Sequence, residues 1–320
     1  MILRVKRWKS KENAYQESLE YLRSRALGKT TSFITPWSKF NDAGVDGIEW
    51  NSMVVIGGRP GSGKTLLKDQ IIRESFNLNP NQDFRVLEFQ FEMIGRVSAI
   101  REFSASLGKT YKELCSAGGY KLNPNDFELC KQYRDSRLNL PIDIVDTPCT
   151  VQEFSETISN YYEEHKTKFV VTLDHSILLN KSHNHKDKYE MLYQLGEELT
   201  RLKRKLPVIF IILSQLNRNV DSPERAENGK YGNFILDSDI FGGDALLQHA
   251  DMLIGINRPA QRKIEYYGPE RFIIKDDTIL VAHFLKCRNG DTRMSFFKAV
   301  FENMRIEEMT TPPTQSKIKL

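Results

Sequence analysis

The chain has 320 residues, of which 40% are apolar, 10% aromatic and 28% charged. These proportions exclude a largely disordered, collagen-like or coiled-coil protein and fit one large globular core with appendages. No run approaches the roughly 18 uninterrupted apolar residues of a membrane span, and the opening MILRVKRWKSKE lacks the long apolar stretch of a secretory signal, so a soluble protein without a membrane partner is expected. Lys plus Arg exceed Asp plus Glu by only 46 to 42, which permits a polyanionic partner without requiring one. Cys115, Cys130, Cys149 and Cys287 form no C-x-x-C pair, which argues against a zinc knuckle or disulfide framework and fits a reducing compartment.

Residues 1–12 are basic, without a helix-length apolar pattern. From 11 to 27, apolar side chains at Tyr15, Leu19, Leu22 and Ala26 form one helical stripe, ended by Gly28. That stripe must cover either the protein's own core or a neighbouring subunit. Strand and helix patterns then alternate. SMVVI (52–56) leads into a glycine loop and a helix from Lys64, and FRVLEF (84–89) into a helix with Val97, Ile100, Phe103 and Leu107 on one face. PIDIV (141–145) precedes a helix with Val151, Phe154, Ile158 and Tyr161, and KFVVTL (168–173) precedes a polar loop and a helix with Leu192, Leu195, Leu199 and Leu202. Another buried strand is PVIFIIL (207–213). The alternation predicts an α/β fold with a mostly parallel central sheet flanked by helices. Residues 217–243 have little periodicity and form a candidate working loop. MLIGIN (252–257), TILVAHFL (278–285) and RMSFFKAVF (293–301) read as further strands, the last two joined at Asn289-Gly290 as an antiparallel extension. The remainder reads as a tail, and no internal repeat is present.

Gly58-Arg59-Pro60-Gly61-Ser62-Gly63-Lys64-Thr65 satisfies G-x4-G-K-[ST] between an apolar strand and a helix start. Glycines let the backbone wrap phosphate, amides and the helix N-terminus face the anion, Lys64 adds a point charge, and Thr65 offers a hydroxyl to Mg2+. ATP or another nucleoside triphosphate is therefore the expected ligand. Hydrolysis also needs groups that hold the metal and polarise water. Asp174 ends an apolar strand, where packing explains a carboxylate poorly and Mg2+ explains it well. Glu92 follows the second strand toward the nucleotide edge and is the candidate water-activating base. Glu88, inside its strand, and Asp146, after a different one, compete less well. Gln215, directly after IILS, can donate its amide to a γ-phosphate, although a polar residue there could equally cap the strand.

These residues, with the stretches FQFEMIGRVSAIR, LDHSILL, ILSQLNR, SDIFGGDALLQHADMLIGINR and FLKCRNGD, resemble in order and spacing the ATPase domain of DnaB-type hexameric replicative helicases over residues 36–301. The resemblance implies a RecA-like P-loop NTPase that forms a ring of six, encircles single-stranded DNA and moves along it using ATP and Mg2+. Carried onto matching positions, Lys64 and Thr65 bind phosphates and metal, Asp174 supports Mg2+, Glu92 activates water and Gln215 senses the γ-phosphate. Lys286 and Arg288, in the KxRNG element, reach the nucleotide of the next subunit. Residues 11–27 resemble the linker helix that this family docks on a neighbour.

The implied organisation is a basic arm and linker helix in 1–35, a RecA-like ATPase in 36–305 and a flexible tail in 306–320. Only about 35 residues precede the matched region, so the family's helical collar is expected to be missing and collar-dependent primase contact is in question; primase or a helicase loader remain the implied partners. Location is expected to be the bacterial cytoplasm, or the host cytoplasm for a phage protein. Phe241-Gly242-Gly243-Asp244 stands where the family usually carries a charged element with a basic residue. Loop 217–237 is not a basic patch either. Candidate DNA contacts are Lys181, Lys186, Arg218, Phe241, Gly242 and Gly243, with Phe241 either stacking a base or packing under its loop. His183 and His185 lack an evident third metal ligand. A non-unwinding RecA-like ring or filament that serves as a loading or assembly factor is the alternative function.

Overall fold

The computed structural model describes residues 10–118, 122–182, 186–222, 225 and 233–316. The basic arm at 1–9, His183, His185 and most of 223–232 lie outside the described residues. Nine strands form the main sheet: β1 (Ser52–Gly58), β2 (Phe84–Gln90), β3 (Ile142–Val145), β4 (Lys168–Asp174), β5 (Val208–Gln215), β6 (Met252–Asn257), β9 (Ile279–Cys287), β10 (Arg293–Val300) and β11 (Arg305–Glu308). A separate ribbon is made by β7 (Tyr266–Tyr267) and β8 (Phe272–Ile273). The order is β11-β10-β9-β6-β1-β5-β4-β2-β3; β6 through β3 run parallel, and β9, β10 and β11 add antiparallel pairs. The predicted parallel sheet with an antiparallel extension is thus observed.

All seven residues of β1 are buried, as a strand covered on both faces requires. Alternation divides its side chains. Met53 and Val55 join one core with Phe89, Val171 and Ile212, roofed by α7 (Val151–His165) and α8 (Lys188–Lys205). Val54 and Ile56 join the other with Ile209, Ile211, Trp37 and, on α2 (Ser38–Ala43), Phe40, roofed by α3 (Lys64–Leu78). The Thr150 hydroxyl and Glu153 carboxylate form a reciprocal cap that starts α7.

Helix α1 (Lys11–Ala26) has the predicted span, with Ser10 as its cap. It buries no residue: Tyr15, Leu19 and Leu22 are 58%, 62% and 62% exposed, so the stripe does not cover the chain's own core. Its C-terminal end is tied down by Arg25 to Ser32 and by Tyr21 to Glu49. The expectation of a tail from residue 306 is corrected through residue 316. Ile306 is buried, its carbonyl accepts from Trp37 Nε1 and Gln70 Nε2, and its N–H donates to Gln70 Oε1. Ile273 and Ser316 donate to Thr314 and Arg271, so the chain beyond β11 also pairs with the ribbon. No helix among the described residues is long and apolar enough to cross a membrane.

His283, on β9, is buried against Phe234 and Tyr267, and its Nε2 has no partner among the described residues. Burial pushes its pKa down to about 4. The unfolded chain takes up this proton near the ordinary value and the folded one does not, so stability falls as pH drops from about 6.5 to about 4, by up to about 3 kcal/mol. Thermal unfolding across that range should show a shallower decline for His283→Phe than for the unaltered chain.

Candidate nucleotide-binding site

Parallel pairing sets the site. Gly58 lies beside Gln215 and Gln90 beside Asp174, so β1, β5, β4 and β2 end at one edge of the sheet. The glycine loop wraps there with φ of +75° at Gly61 and +96° at Gly63, backbone that side chains rarely adopt. A Cβ on Gly63 would stand 2.7 Å from Leu280, so close packing enforces the same choice. Helix α3 follows at once, directing its free N–H groups to the loop.

An open cavity of about 280 Å³ is lined by Gly61, Gly63, Lys64, Thr65, Glu92 and Gln215, together with Arg101, His175, Phe301 and Met304. The sequence-derived groups therefore converge, and Asp174 lies behind them, nearly fully buried. Burial lowers the pKa of the Lys64 ammonium, while the carboxylates of Asp174 and Glu92 oppose the shift. Lys64 Nζ donates to the carbonyls of Gly58 at 2.8 Å and Arg59 at 3.1 Å. Ser62 Oγ is buried without a partner among the described residues. Such donors fit a phosphate, and their chemistry favours an anion at this loop. The Asp174 side chain, a buried carboxyl group, makes no hydrogen bond or ion pair among the described residues, a placement that suits a divalent cation and its water shell. No group of three or more His, Cys, Asp or Glu that could hold a metal is found among the described residues.

Glu88 is engaged elsewhere. It accepts at 3.1 Å from the buried Lys68 ammonium, which also pairs with Asp69 at 2.6 Å, so it serves the fold beneath the site. Gln215 Nε2 lies 3.3 Å from His175 Nε2, and burial holds His175 below its ordinary pKa, so the neutral imidazole can accept the amide proton. Arg59 pairs at 2.5 Å with Asp221, just past β5, and Arg262 approaches the same carboxylate at 3.4 Å. Arg101 and His175 lie inside the sequence motifs but carry no predicted role. Phe301 and Met304 join from the far end of the chain, and the Arg258 guanidinium lies 4.0 Å from the Phe301 ring centre.

The DnaB-like helicase C terminal domain family matches residues 35–306. The chain belongs to that family. The replicative DNA helicase DnaB of Helicobacter pylori (strain ATCC 700392 / 26695) is 26% identical over 213 residues, 66% of this chain and 41% of that protein. That of Geobacillus stearothermophilus is 24% identical over 305 residues, 93% and 62%. The chain thus spans about half the length of the curated relatives it matches. Among solved structures, one described as an ATPase domain shares the fold at a TM-score of 0.78 and 19% identity, covering 94% of this chain and 99% of that one. A DnaB-like replicative helicase described with its primase interactions gives 0.76 at 19% identity, covering 94% and 67%.

Within this DnaB-like domain, Lys286 and Arg288 are not part of the cavity. Arg288 N–H donates to Asp251 O and Asp251 N–H to Met53 O, five residues before Gly58 on β1. At ~3.3 Å per strand residue, this level of the sheet lies about 16 Å along the strands from the start of the phosphate loop, so Arg288 stands at the opposite sheet edge. Its guanidinium meets Asp251 at 3.1 Å, and Lys286 Nζ donates to Leu247 O at 2.6 Å. Burial lowers the Lys286 pKa, with Arg288 adding to the effect. Lys181, Lys186 and Arg218 are exposed near the carboxyl edge. Phe241 is half-buried, packed on Tyr189 and the core; Gly242 has a φ of +68°, and Gly243 opens the short helix Gly243–Leu247.

Two carboxylates four residues apart should separate cleanly. Glu92→Gln is expected to bind nucleotide normally and to hydrolyse it at least about a hundredfold more slowly. Glu88→Gln, which leaves Lys68 less well paired, should instead lower unfolding stability by about 3 kcal/mol. Nucleotide titration, steady-state turnover and denaturant unfolding of both variants check this.

Proposed function

We propose that this chain is an ATP-dependent, ring-forming DNA helicase or translocase that acts on single-stranded DNA and hydrolyses ATP between subunits. The reading rests above all on one observation: the half of the site that cradles phosphate and the half that bears Lys286 and Arg288 face opposite edges of the same sheet. One copy cannot bring them together by side-chain motion alone. A neighbouring copy can, and a closed ring, of six copies in this reading, repeats such a head-to-tail contact without leaving free ends. The exposed stripe of α1 supports the same assembly, because Tyr15, Leu19 and Leu22 need a neighbour to cover them.

In this reading Lys64 and the loop amides bind the β- and γ-phosphates. The Thr65 hydroxyl and, through water, Asp174 hold Mg2+, which neutralises phosphate charge. Glu92 accepts a proton from the attacking water, Gln215 contacts the γ-phosphate, and the neighbour's equivalents of Lys286 and Arg288 stabilise charge as the phosphoryl group departs. Phe301 and Met304 offer apolar surface to the nucleotide base. Release of the γ-phosphate frees Gln215, which is continuous with loop 217–243. Lys181, Lys186, Arg218 and the backbone at Gly242 and Gly243 then meet DNA on that side of the ring. The domain division follows: a linker arm before residue 36, an ATPase from 36 to 305, and a C-terminal segment. The partner classes are primase or a helicase loader, and the compartment is the cytoplasm. A passive loading platform is less well supported, because it needs neither Glu92 nor a cation from the neighbour.

Complementation between copies tests the assignment. Arg288→Ala should bind nucleotide yet turn it over about a thousandfold more slowly, and Lys64→Ala should fail to bind it. Mixed before assembly, the two variants should regain part of the lost ATP hydrolysis, since intact cradles then meet intact cations. No recovery on mixing would contradict hydrolysis at a shared interface.

A further inference from the structure

A second cavity, of about 270 Å³, opens between the first turns of α8 and the segment after β5, lined by Tyr189, Tyr193, Asn217, Ser238, Ile240 and Gly242. Tyr189 and Tyr193 are four residues apart, so they stand one helical turn apart on the same side. They are 49% and 44% exposed, beside the helix face that buries Leu192, Leu195 and Leu199. Neither hydroxyl forms a hydrogen bond among the described residues. Phe241 braces the platform from the core side, its ring centre 4.9 Å from that of Tyr189. Large flat rings held at a cleft, beside an amide and a hydroxyl, match the chemistry of a nucleobase: a π face to cover and polar edges to bond.

The surroundings suit a polyanion whose bases enter the cleft. Lys181, Lys186 and Arg218 are exposed at its two flanking loops. Of the nearby carboxylates, Asp187 caps α8 by accepting from Glu190 N–H, Glu190 accepts from Lys186 N–H, and Asp239 is paired with Arg225. Exposed Asp237 stays at the rim, where it accepts from Ser238 N–H. The cleft is also wired to the nucleotide cavity. Phe241 N–H donates to Gln215 O at 2.8 Å, and Ser214 Oγ donates to Phe241 O at 3.1 Å. A change at the Gln215 side chain therefore acts on the same strand end that positions the aromatic brace.

We propose that this cleft is a base-stacking site for single-stranded DNA, in which Tyr189 and Tyr193 supply ring faces and Asn217 and Ser238 meet base edges. The proposal rests on the single-stranded-DNA reading above and deepens it. Stacking is tolerant of sequence, because every base has a π face, and it requires no basic side chain at position 241.

The test compares an oligothymidylate with an equally long oligonucleotide carrying abasic sites, by fluorescence anisotropy, in the presence of a non-hydrolysable ATP analogue. The unaltered protein should bind the base-bearing strand about tenfold or more tightly than the abasic one. Tyr189→Phe/Tyr193→Phe should keep that preference. Tyr189→Ala/Tyr193→Ala should lose it and bind both strands at the abasic level, with oligomer size by light scattering unchanged. An alanine variant that retains the preference, or an unaltered protein that binds both strands equally well, overturns the stacking site while leaving DNA binding intact. Loss accompanied by a changed oligomer size assigns the tyrosines to subunit packing and overturns it too. An unaltered protein that binds neither strand sinks the DNA reading itself.

Discussion

A rigid sheet keeps two sets of charges apart. At its carboxyl edge stand Lys64, Asp174, Glu92 and Gln215; at its amino edge, Arg288 and Lys286 answer to Asp251 and the Leu247 carbonyl. Because β1 is buried on both faces and bonded to β5 and β6 along its length, the separation cannot close by bending. Each copy thus has a phosphate cradle at one end and a cationic element at the other. The proposed head-to-tail assembly, and with it the proposed role, rests on that polarity more than on any single residue.

Electrostatics within the cradle point the same way. Lys64, largely withdrawn from water, rests on its own loop carbonyls while two carboxylates hold its charge. A triphosphate would replace weak carbonyl partners with charged oxygens, so much of the binding energy comes from exchanging partners rather than from creating a charge. Arg59, paired with Asp221, joins the cradle to the segment after β5, which also carries Gln215 and, by backbone hydrogen bonds, Phe241. Nucleotide and the proposed DNA cleft therefore share one strand end.

Much of this was legible in the sequence for identifiable reasons. The phosphate loop announces itself because a loop that wraps an anion favours glycine, and Gly61 and Gly63 adopt the positive φ that side chains rarely take. Asp174 stands out as a carboxylate on an otherwise apolar strand. Glu92 could be preferred to Glu88 because position within a strand fixes which edge a side chain serves, and the structure adds that Glu88 pairs with Lys68. The exposed stripe of α1 was visible as a pattern, but which surface covers it is not a property of a single chain.

Other parts carried little signal. Strand β11 has a single buried apolar residue, Ile306, among charged neighbours, and is held by Trp37 and Gln70 from more than 230 positions away. Helix α4 (Gly95–Leu107) is plain in the pattern, but α5 (Tyr111–Cys115) and α6 (Pro124–Arg137) are not, although Asn123 and Asp126 form a cap that Asn-Pro-Asn-Asp already suggests. Phe301 and Met304 reach the cavity only through the antiparallel extension. The central claim is tested most directly by ATP turnover per chain as the protein is diluted: turnover should collapse in step with loss of assembly, measured by light scattering on the same samples. Undiminished turnover by dispersed single copies would contradict it.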